Sequence, residues 1–233
     1  MSDLIAVRGK EPWRRRILLP TYTIADAARY IGASHQLVSS WFYRETQTGI
    51  TLPGKEHGEP LSYLQLIEVA VVSTFRKLGV HLERIRKARQ YLAQRFNAEF
   101  PLTEYRFKTE GLHILLDLSQ FEYDEDLRLV VADKGGQLAW EDLMEDRLLE
   151  FDYEDGGIAI KWHPAGRQSL VVIDPRVAFG APNVSGIPTW VLKGRHNAGE
   201  TVADVIEDFQ LEETAIRDAW QFEGIDTSQL ALV

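Results

Sequence analysis

The fold of the N-terminal part of this chain is decided by residues 23–41, which read TIADAARYIGASHQLVSSW. Thr23 can cap a helix, and Asp26 stands three positions later, as in a variant of the capping box. Apolar residues then recur on one helical face: Ile24, Ala27, Ala28 and Ile31. Gly32 ends this helix and Ser34 begins a second one, so the stretch predicts a helix-turn-helix.

Two longer helices follow a loop at 46–60 that is rich in Thr, Gly and Pro. Ser62 begins an amphipathic helix over 63–78, which Gly79 ends as a C-terminal cap. Apolar residues at helical spacing over 82–92 predict a further helix that ends before the next proline. The first part of the chain is therefore expected to be helical.

Strands are expected after residue 100, because short apolar runs alternate there with glycine-rich turns. The predicted strands lie at 105–107, 114–116, 127–131, 149–153, 158–162 and 169–173. A short acidic helix is predicted over 139–148. Glycines and prolines at 174–189 indicate an ordered loop, and two helices with a turn at 210–211 end the chain.

We therefore predict an α+β fold, mainly α, in three parts. Residues 1–99 form a winged helix-turn-helix, residues 100–168 form a small α+β middle segment, and residues 169–233 form a helix-turn-helix-like, homeodomain-like module. No apolar run approaches the roughly 20 residues that cross a bilayer, and the start lacks the apolar stretch of a secretory signal. A cytoplasmic protein without a membrane association is expected.

The charge is distributed unevenly along the 233 residues. Residues 1–97 hold 15 basic and 8 acidic residues, a net charge of +7, whereas residues 98–233 have a net charge of −16. Such a split suggests that one half binds a polyanion and that the other keeps away from it. The chain contains no Cys, which excludes disulfides, thiolate metal sites and cysteine nucleophiles.

The second helix of the N-terminal pair presents the side chains that could read DNA bases. His35, Gln36 and Ser39 occupy its exposed positions, with Ser40 as a further candidate, and all of them can form hydrogen bonds. Basic residues around it can neutralise phosphates: Arg14, Arg15, Arg16, Arg44 and Lys55. The alternative is a helical hairpin that only packs and does not contact DNA.

Residues 22–92 resemble the winged helix-turn-helix of the MerR family. The matching landmarks are Tyr22-Thr23-Ile24, Ala27-Ala28, Ile31-Gly32-Ala33-Ser34, Val38, Trp41, Leu64, Ile67, Arg76-Lys77-Leu78-Gly79-Val80 and Leu82-Glu83-Arg84-Ile85. The resemblance implies that the second helix enters the major groove and that the following loop forms a wing on the backbone. The long dimerisation helix of that family is missing, because the last helix stops near Asn97. Since helix-turn-helix proteins usually act as dimers on DNA, we expect a homodimer on double-stranded operator DNA.

Residues 171–223 are similar to a small family of prokaryotic antitoxin domains. The landmarks are Val172-Ile173-Asp174-Pro175, Phe179-Gly180-Ala181-Pro182, Ser185-Gly186-Ile187-Pro188-Thr189 and Ala198-Gly199-Glu200-Thr201. Together with the MerR-like residues 22–92, they resemble VapB-type antitoxins, which are paired with PIN-like ribonuclease toxins. Residues 200–223 hold eight acidic residues against Arg217 alone. Phosphates would repel these helices, so we expect them to bind protein rather than a second stretch of DNA.

The resemblance implies a type II antitoxin that neutralises a PIN-like ribonuclease and represses its own operon. The toxin would hold Mg²⁺ in a cluster of carboxylates, and Arg195 or Arg217 could pair with those carboxylates. The alternative for both arginines is an internal ion pair. Trp190 could be an exposed anchor for the toxin or a core residue, whereas Trp220 is expected to be buried.

No enzyme is predicted, because the six histidines are scattered and no nucleotide loop or nucleophile motif occurs. We therefore predict no catalytic residue, no metal and no cofactor. Two other functions stay open at this point. One is a MerR-like ligand-sensing regulator with a pocket within residues 103–163. The other is a scaffold that binds only protein.

Overall fold

The computed structural model describes residues 12–47, 49–105, 107, 148–154 and 157–227. The chain divides into two compact units, of which the first ends at Ala159 and the second begins at Ile160. The predicted strands at 114–116 and 127–131, the helix at 139–148 up to residue 147, and most of the predicted ligand pocket lie outside the described residues. The three-part domain division stays a prediction.

Within the described residues, the first unit contains five α-helices. They are α1 (Pro12–Arg16), α2 (Ile24–Ile31), α3 (His35–Tyr43), α4 (Tyr63–Lys77) and α5 (Leu82–Phe96). The predicted capping box is confirmed, since Thr23 Oγ1 accepts from Asp26 N at 3.0 Å and Asp26 Oδ2 accepts from Thr23 N at 3.0 Å. Gly32 ends α2 in the left-handed conformation with φ 67°, and Ser34 caps α3.

Helix α4 is the centre of the first unit. Twelve of its fifteen residues are buried, so the predicted amphipathic pattern is wrong: Arg76 and Lys77, at its end, are its exposed residues. Ser62 caps it as predicted, and Gly79 follows its end with φ 87°. The contacts of α4 include α2, α5 and a 3-10 turn at Pro101–Thr103. This arrangement holds the α2–α3 pair on a closely packed base.

A buried ion pair joins α4 to α5. Glu68 of α4 is 2% exposed and Arg89 of α5 is 4% exposed. Arg89 donates from Nη2 to Glu68 Oε2 at 2.9 Å and from Nε to both carboxylate oxygens at 3.1 Å. Arg89 Nη2 also donates to the Glu99 carbonyl at 2.7 Å, and Leu102 N donates to Glu68 Oε1 at 3.4 Å. Both charges are therefore paired and hydrogen-bonded, which offsets the cost of burying them.

The predicted strand at 105–107 is wrong. The N–H of Phe107 donates to the Glu104 carbonyl at 2.9 Å, which closes a helical turn. The Phe107 ring is buried and packs edge-on against Phe75, with the ring centroids 5.6 Å apart. Burial of this ring outweighs the β-propensity of the segment. An isolated bridge lies next to the turn instead, between Glu104 and Ile158.

The predicted strands at 149–153 and 158–162 are present with shorter bounds, as β1 (Phe151–Tyr153) and β2 (Ala159–Trp162). Glu154 N donates to the Ile158 carbonyl at 3.1 Å in the turn after β1. The loop between α3 and α4, in its described residues 44–47 and 49–60, contains no strand, although Leu61 forms a bridge with Tyr22. The winged form of the motif therefore stays a prediction.

The described part of the second unit ends in three helices, α6 (Thr189–Asn197), α7 (Val202–Phe209) and α8 (Glu213–Phe222). The last two and the turn between them are confirmed, with Thr201 capping α7 and Gln210 in the left-handed conformation at φ 53°. Helix α6 was not predicted. Neither was the antiparallel pair of β3 (Asn183–Val184) and β4 (Ile187–Pro188), which lies inside the expected loop.

The predicted strand at 169–173 is wrong as a continuous element. Its residues form two isolated bridges, from Ile173 to Trp162 and from Val172 to Asn183. The amide of Asn183 lies at this pairing. Its Nδ2 donates to the Val172 carbonyl at 3.1 Å, which also accepts from Asn183 N at 2.9 Å, and to the Ala181 carbonyl at 3.0 Å. The Ala181 carbonyl is thus bonded locally to a side chain and not to a longer ladder.

The second unit has its own apolar core, which supports independent packing. Its buried members are Val171, Val184, Leu192, Val205, Leu211, Ala215, Ile216, Ala219 and Trp220. Trp220 is 1% exposed, and its indole N–H donates to the Leu192 carbonyl at 2.8 Å. The predicted burial of Trp220 is confirmed.

Candidate functional site

Helix α3 is divided into a buried face and an open face. Val38 and Trp41 are almost fully buried, whereas His35 and Gln36 are exposed and Ser39 is half-buried. Within the described residues, none of the three polar side chains makes a hydrogen bond to the protein. The residues predicted to read bases are therefore available for an external partner.

The two neighbouring serines of α3 differ in availability. Ser40 donates its hydroxyl to the Leu37 carbonyl at 2.7 Å, so it is occupied inside its own helix. Ser34 accepts from Leu37 N at 3.2 Å and caps the helix. Ser39 is left as the serine of the open face, with its donor and acceptor both unused in the described part of the chain.

A cleft of 320 Å³ lies between α3 and the loop that follows it. Its walls include His35, Ser39 and Tyr43 of α3, together with Lys55 and residues 57–60 of the loop. The Tyr43 ring stacks on His57, with the centroids 3.9 Å apart and an interplanar angle of 12°. Tyr43 also donates its hydroxyl to the Glu56 carbonyl at 3.1 Å. The aromatic pair therefore holds the loop beside the open face of α3.

Lys55 has a structural role in this cleft. Its ammonium group donates to the Glu56 carbonyl at 3.1 Å and to the Glu59 carbonyl. The same group lies 5.8 Å from the centroid of the Tyr43 ring, within range of a cation–π contact. An ammonium has three donors, so the charge of Lys55 remains beside the cleft with one donor to spare.

The three arginines of α1 are not equivalent. Arg14 forms an ion pair with Glu154 and lies over the Trp13 ring, 4.6 Å from the centroid. Arg16 is half-buried, and Arg15 is exposed. The chain after α1 is joined to α4, since Leu64 N donates to the Ile17 carbonyl at 3.3 Å.

Two of the residues predicted to contact phosphates have side chains without a partner in the described part of the chain. Arg15 and Arg44 are both exposed, and neither side chain has a hydrogen bond or an ion pair there. Arg44 directly follows α3 and caps it, with its backbone N donating to the Ser40 carbonyl at 3.1 Å. Its position at the end of α3 suits a contact to the backbone of a bound duplex.

Arg195 of the second unit joins α6 to α7 and the segment between them. Its guanidinium group pairs with Glu200 and Asp208 and lies 5.4 Å from the centroid of the Phe209 ring. Hydrogen bonds to Asp208 and Glu200 raise the pKa of Arg195 above its usual value. The structure thus shows the internal ion pair that the sequence left open.

Arg217 is also paired internally. Its Nε donates to Glu213 Oε1 at 2.5 Å, one helical turn earlier in α8. Its Nη1 donates to the Thr227 carbonyl at 3.2 Å, which ties the chain after α8 to the helix. Both candidate arginines would have to exchange internal carboxylates before they could bind those of another protein.

Trp190 is exposed in this structure and is not a core residue. It stands at the start of α6 and is 63% exposed. Phe179 is 79% exposed, and both it and Ala178 have positive φ angles, of 54° and 47°. Non-glycine residues rarely adopt this conformation, which costs about 1–3 kcal/mol each and persists only where the surrounding structure imposes it. Sequence reasoning missed the exposure of Phe179, although its motif was a landmark of the resemblance.

Polar contacts hold the strained loop in place. Arg176 donates from Nε to Asp174 Oδ1 at 2.9 Å and from Nη2 to Asp174 Oδ2 at 2.6 Å. Asp174 is 3% exposed and also accepts from Arg176 N at 2.8 Å. Asn183 Oδ1 accepts from Gly186 N at 3.1 Å, on the turn between β3 and β4. The loop that presents Phe179 is therefore anchored before and after the strained residues.

Neither metal nor membrane chemistry is visible in the described part of the chain. No group of three or more His, Asp and Glu side chains there is arranged to hold an ion. None of the helices described is long and apolar enough to span a bilayer. The interpretation of the candidate sites therefore depends on the exposed polar face of α3 and the exposed aromatic residues of the second unit.

Comparison with known proteins finds relatives of both units. Residues 171–222 match a family described as "Protein of unknown function (DUF433)". Over 91% of its length the chain is 24% identical to a Mycobacterium tuberculosis protein named "Putative antitoxin VapB45", of which it covers 97%. It also resembles the crystal structure of Rv2018 from the same organism, with a TM-score of 0.67 and 22% identity. That likeness covers 88% of this chain and 99% of the other, and it shows a shared fold.

Proposed function

We propose that this chain is the antitoxin of a type II toxin–antitoxin pair. The observation that carries the proposal is its similarity, over 91% of its length, to a protein named as an antitoxin. The match of residues 171–222 to a recognised family supports it, because that segment holds the exposed aromatic residues. The partner we propose is a PIN-like ribonuclease.

The second unit is the proposed toxin-binding part. Trp190 and Phe179 are large, exposed aromatic side chains, and such side chains dominate the energetics of protein interfaces. The acidic character of residues 200–223 disfavours nucleic acid as the ligand of this unit. Arg195 is 30% exposed, so carboxylates of the toxin could compete with Glu200 and Asp208 for its guanidinium group.

The first unit is the proposed DNA-binding part, through which the antitoxin represses its own operon. His35, Gln36 and Ser39 are the proposed base contacts, because they form the open face of α3. Arg15 and Arg44 are the proposed principal phosphate contacts. Arg14, Arg16 and Lys55 contribute positive charge nearby, although their side chains also make contacts within the protein. Two copies of the chain would bind two half-sites about one helical turn apart.

Coexpression with the product of the neighbouring gene tests the toxin-binding proposal. We expect the toxin alone to arrest growth, the chain to restore growth, and the two proteins to purify together. Trp190→Ala and Phe179→Ala should weaken both effects, whereas Leu170→Ala should not, although Leu170 is 48% exposed in the same unit. Arg195→Ala tests the contact to the carboxylate cluster of the toxin separately. If the chain neither restores growth nor copurifies with the toxin, the proposal is wrong.

Binding to the promoter of its own operon tests the DNA-binding proposal. We expect the chain to bind this duplex more tightly than a scrambled one, with an affinity that falls steeply as salt increases. Gln36→Ala should reduce the preference for the promoter, and Trp190→Ala should leave it unchanged. Equal affinity for both duplexes would contradict sequence-specific repression by this protein.

A further inference from the structure

A second cleft, of 420 Å³, is formed partly by the face of α3 that does not carry the proposed base contacts. Its walls are Leu37 and Trp41 of α3, Arg76 of α4, and residues 81–84 at the start of α5. Leu37 and Trp41 are four positions apart and therefore share one side of the helix. The volume lies within the range of small-molecule sites.

Arg84 lines this cleft, and among the described residues its charge has no partner. The residue is 4% exposed, and its Nε has no hydrogen-bond acceptor. Within the described residues its guanidinium group forms no ion pair. An arginine side chain does not lose its proton in proteins, so the charge cannot be removed by titration. A buried charge without a counter-charge is strongly unfavourable, which indicates that an anion belongs here.

Arg89 of the same helix is a buried arginine whose charge is paired. It is buried to the same extent as Arg84, yet it has the bidentate Glu68 carboxylate and the Glu99 carbonyl as acceptors. The two side chains differ in what they pair with, and not in their depth. Arg84 is therefore the exception that needs an explanation.

The other groups of the cleft also favour an anion with an apolar body. In the part of the chain that the structure describes, the buried Trp41 indole N–H has no acceptor, and an indole can only donate. Arg76 adds a second positive charge, with only its Nη1 engaged, on the Val80 carbonyl at 2.8 Å. The one acidic side chain of the lining, Glu83, lies 3.4 Å from Lys87 Nζ. Leu37, which is 45% exposed, and the Trp41 ring provide apolar walls.

We propose that this cleft binds a small organic acid, with its carboxylate at Arg84 and its apolar part against Leu37 and Trp41. A carboxylate fits the planar donor fork of an arginine and would neutralise the buried charge. The indole N–H of Trp41 would donate to the same carboxylate. The inference does not depend on the proposed antitoxin function, because its test contains neither toxin nor DNA.

Titration of the full chain with hexanoate and with benzoate tests the proposal. We expect at least one of them, at up to about 10 mM, to raise the melting temperature and to shift the Trp41 indole resonance in ¹H–¹⁵N spectra. Trp41→Phe assigns that resonance. The neutral analogues hexanol and benzyl alcohol, and inorganic phosphate, are the controls. We expect each control to produce less than half of the carboxylate-induced shift.

Two matched variants in α5 complete the test. Arg84→Met should abolish the response to the carboxylate and should lower the melting temperature of the free protein by less than half as much as Arg89→Met does. The reason is that Arg84→Met removes an unpaired buried charge, whereas Arg89→Met leaves the Glu68 carboxylate unpaired. If Arg89→Met shows no cooperative unfolding transition, its loss of stability is taken as larger than that of Arg84→Met.

Three results would overturn the proposal. The first is no carboxylate-induced shift in the wild-type protein. The second is a shift from the neutral analogues or from phosphate that is at least half as large, which would indicate an apolar cavity or a general anion site. The third is an Arg84→Met variant that keeps the carboxylate response or is destabilised at least half as much as Arg89→Met.

Discussion

Replacing Glu68 by Gln tests the buried ion pair that joins α4 to α5 and so supports the whole first unit. The Gln side chain has nearly the same shape as Glu but carries no charge. Arg89, at 4% exposure, would keep the Glu99 carbonyl and one amide oxygen as acceptors and would lose its counter-charge. Water cannot replace that counter-charge readily, because both side chains lie inside the unit.

The size of the effect follows from the contacts of the pair. Three donor–acceptor distances between the two side chains lie between 2.9 and 3.1 Å, so the interaction is bidentate and well aligned. Removing one partner of such a buried pair costs about 3–5 kcal/mol of folding free energy. Because Gln retains one acceptor, we expect the lower end, about 3 kcal/mol, which is roughly a 150-fold change in the folding equilibrium.

Urea unfolding measures this loss. Residue-specific amide signals report the unfolding transition of each unit separately, which is needed because a two-unit chain need not unfold in one step. We expect Glu68→Gln to lower the midpoint of the first unit alone. The double variant Glu68→Leu with Arg89→Met should recover most of the loss, because no buried charge is left unpaired. A loss below about 1 kcal/mol in the single variant would refute this account of the pair.

Four further predictions concern the two candidate surfaces and the acid stability of the second unit. Gln36→Ala should cost about 1–3 kcal/mol of binding to the promoter duplex and little of binding to a scrambled one, measured by fluorescence anisotropy. Arg44→Met should weaken binding to both duplexes alike and reduce the slope of the logarithm of the binding constant against the logarithm of the salt concentration by about one. Trp190→Ala should weaken the toxin complex by about 2 kcal/mol or more in calorimetry, and an unchanged affinity would exclude it as an anchor. Hydrogen bonds from Thr201 lower the pKa of Asp204 below the 3.8 of an ordinary aspartate. The ionised carboxylate therefore stabilises the second unit at pH values above 3.8. This contribution is lost as the pH falls through the lower pKa of the folded state. Thermal unfolding between about pH 2 and pH 5 should therefore show a smaller acid dependence in Asp204→Asn.

Local signals explain what the sequence predicted correctly. The capping boxes that begin with Thr23 and Ser62 involve residues three positions apart, so their hydrogen bonds do not depend on the rest of the fold. Gly32 stops α2 because it adopts a positive φ angle at no steric cost. The open face of α3 was predictable for the same reason, since helical periodicity decides which side chains point away from the core.

Long-range contacts explain what the sequence did not show. Helix α6 directly follows the Gly- and Pro-rich segment that was interpreted as loop, and it has no side-chain cap to mark its start. The segment at 105–107 favours a strand by composition, but packing of Phe107 on Phe75 produces a turn. Burial of Arg84 and Arg89 could not be foreseen, because the arginines of α5 look like a solvated face until α4 and the turn at 101–103 are placed around them.

Hydrogen–deuterium exchange of the full chain, measured with each proposed partner in turn, tests the central claim most directly. The claim is that the helix-turn-helix of the first unit, which lies within the cationic residues 1–97, binds duplex DNA and that the second unit, whose residues 200–223 are acidic, binds the toxin. We expect the promoter duplex to protect amides around 34–44 and to leave residues 170–195 unchanged, and we expect the toxin to do the reverse. Protection of the second unit by DNA, or protection of α3 alone by the toxin, would contradict it.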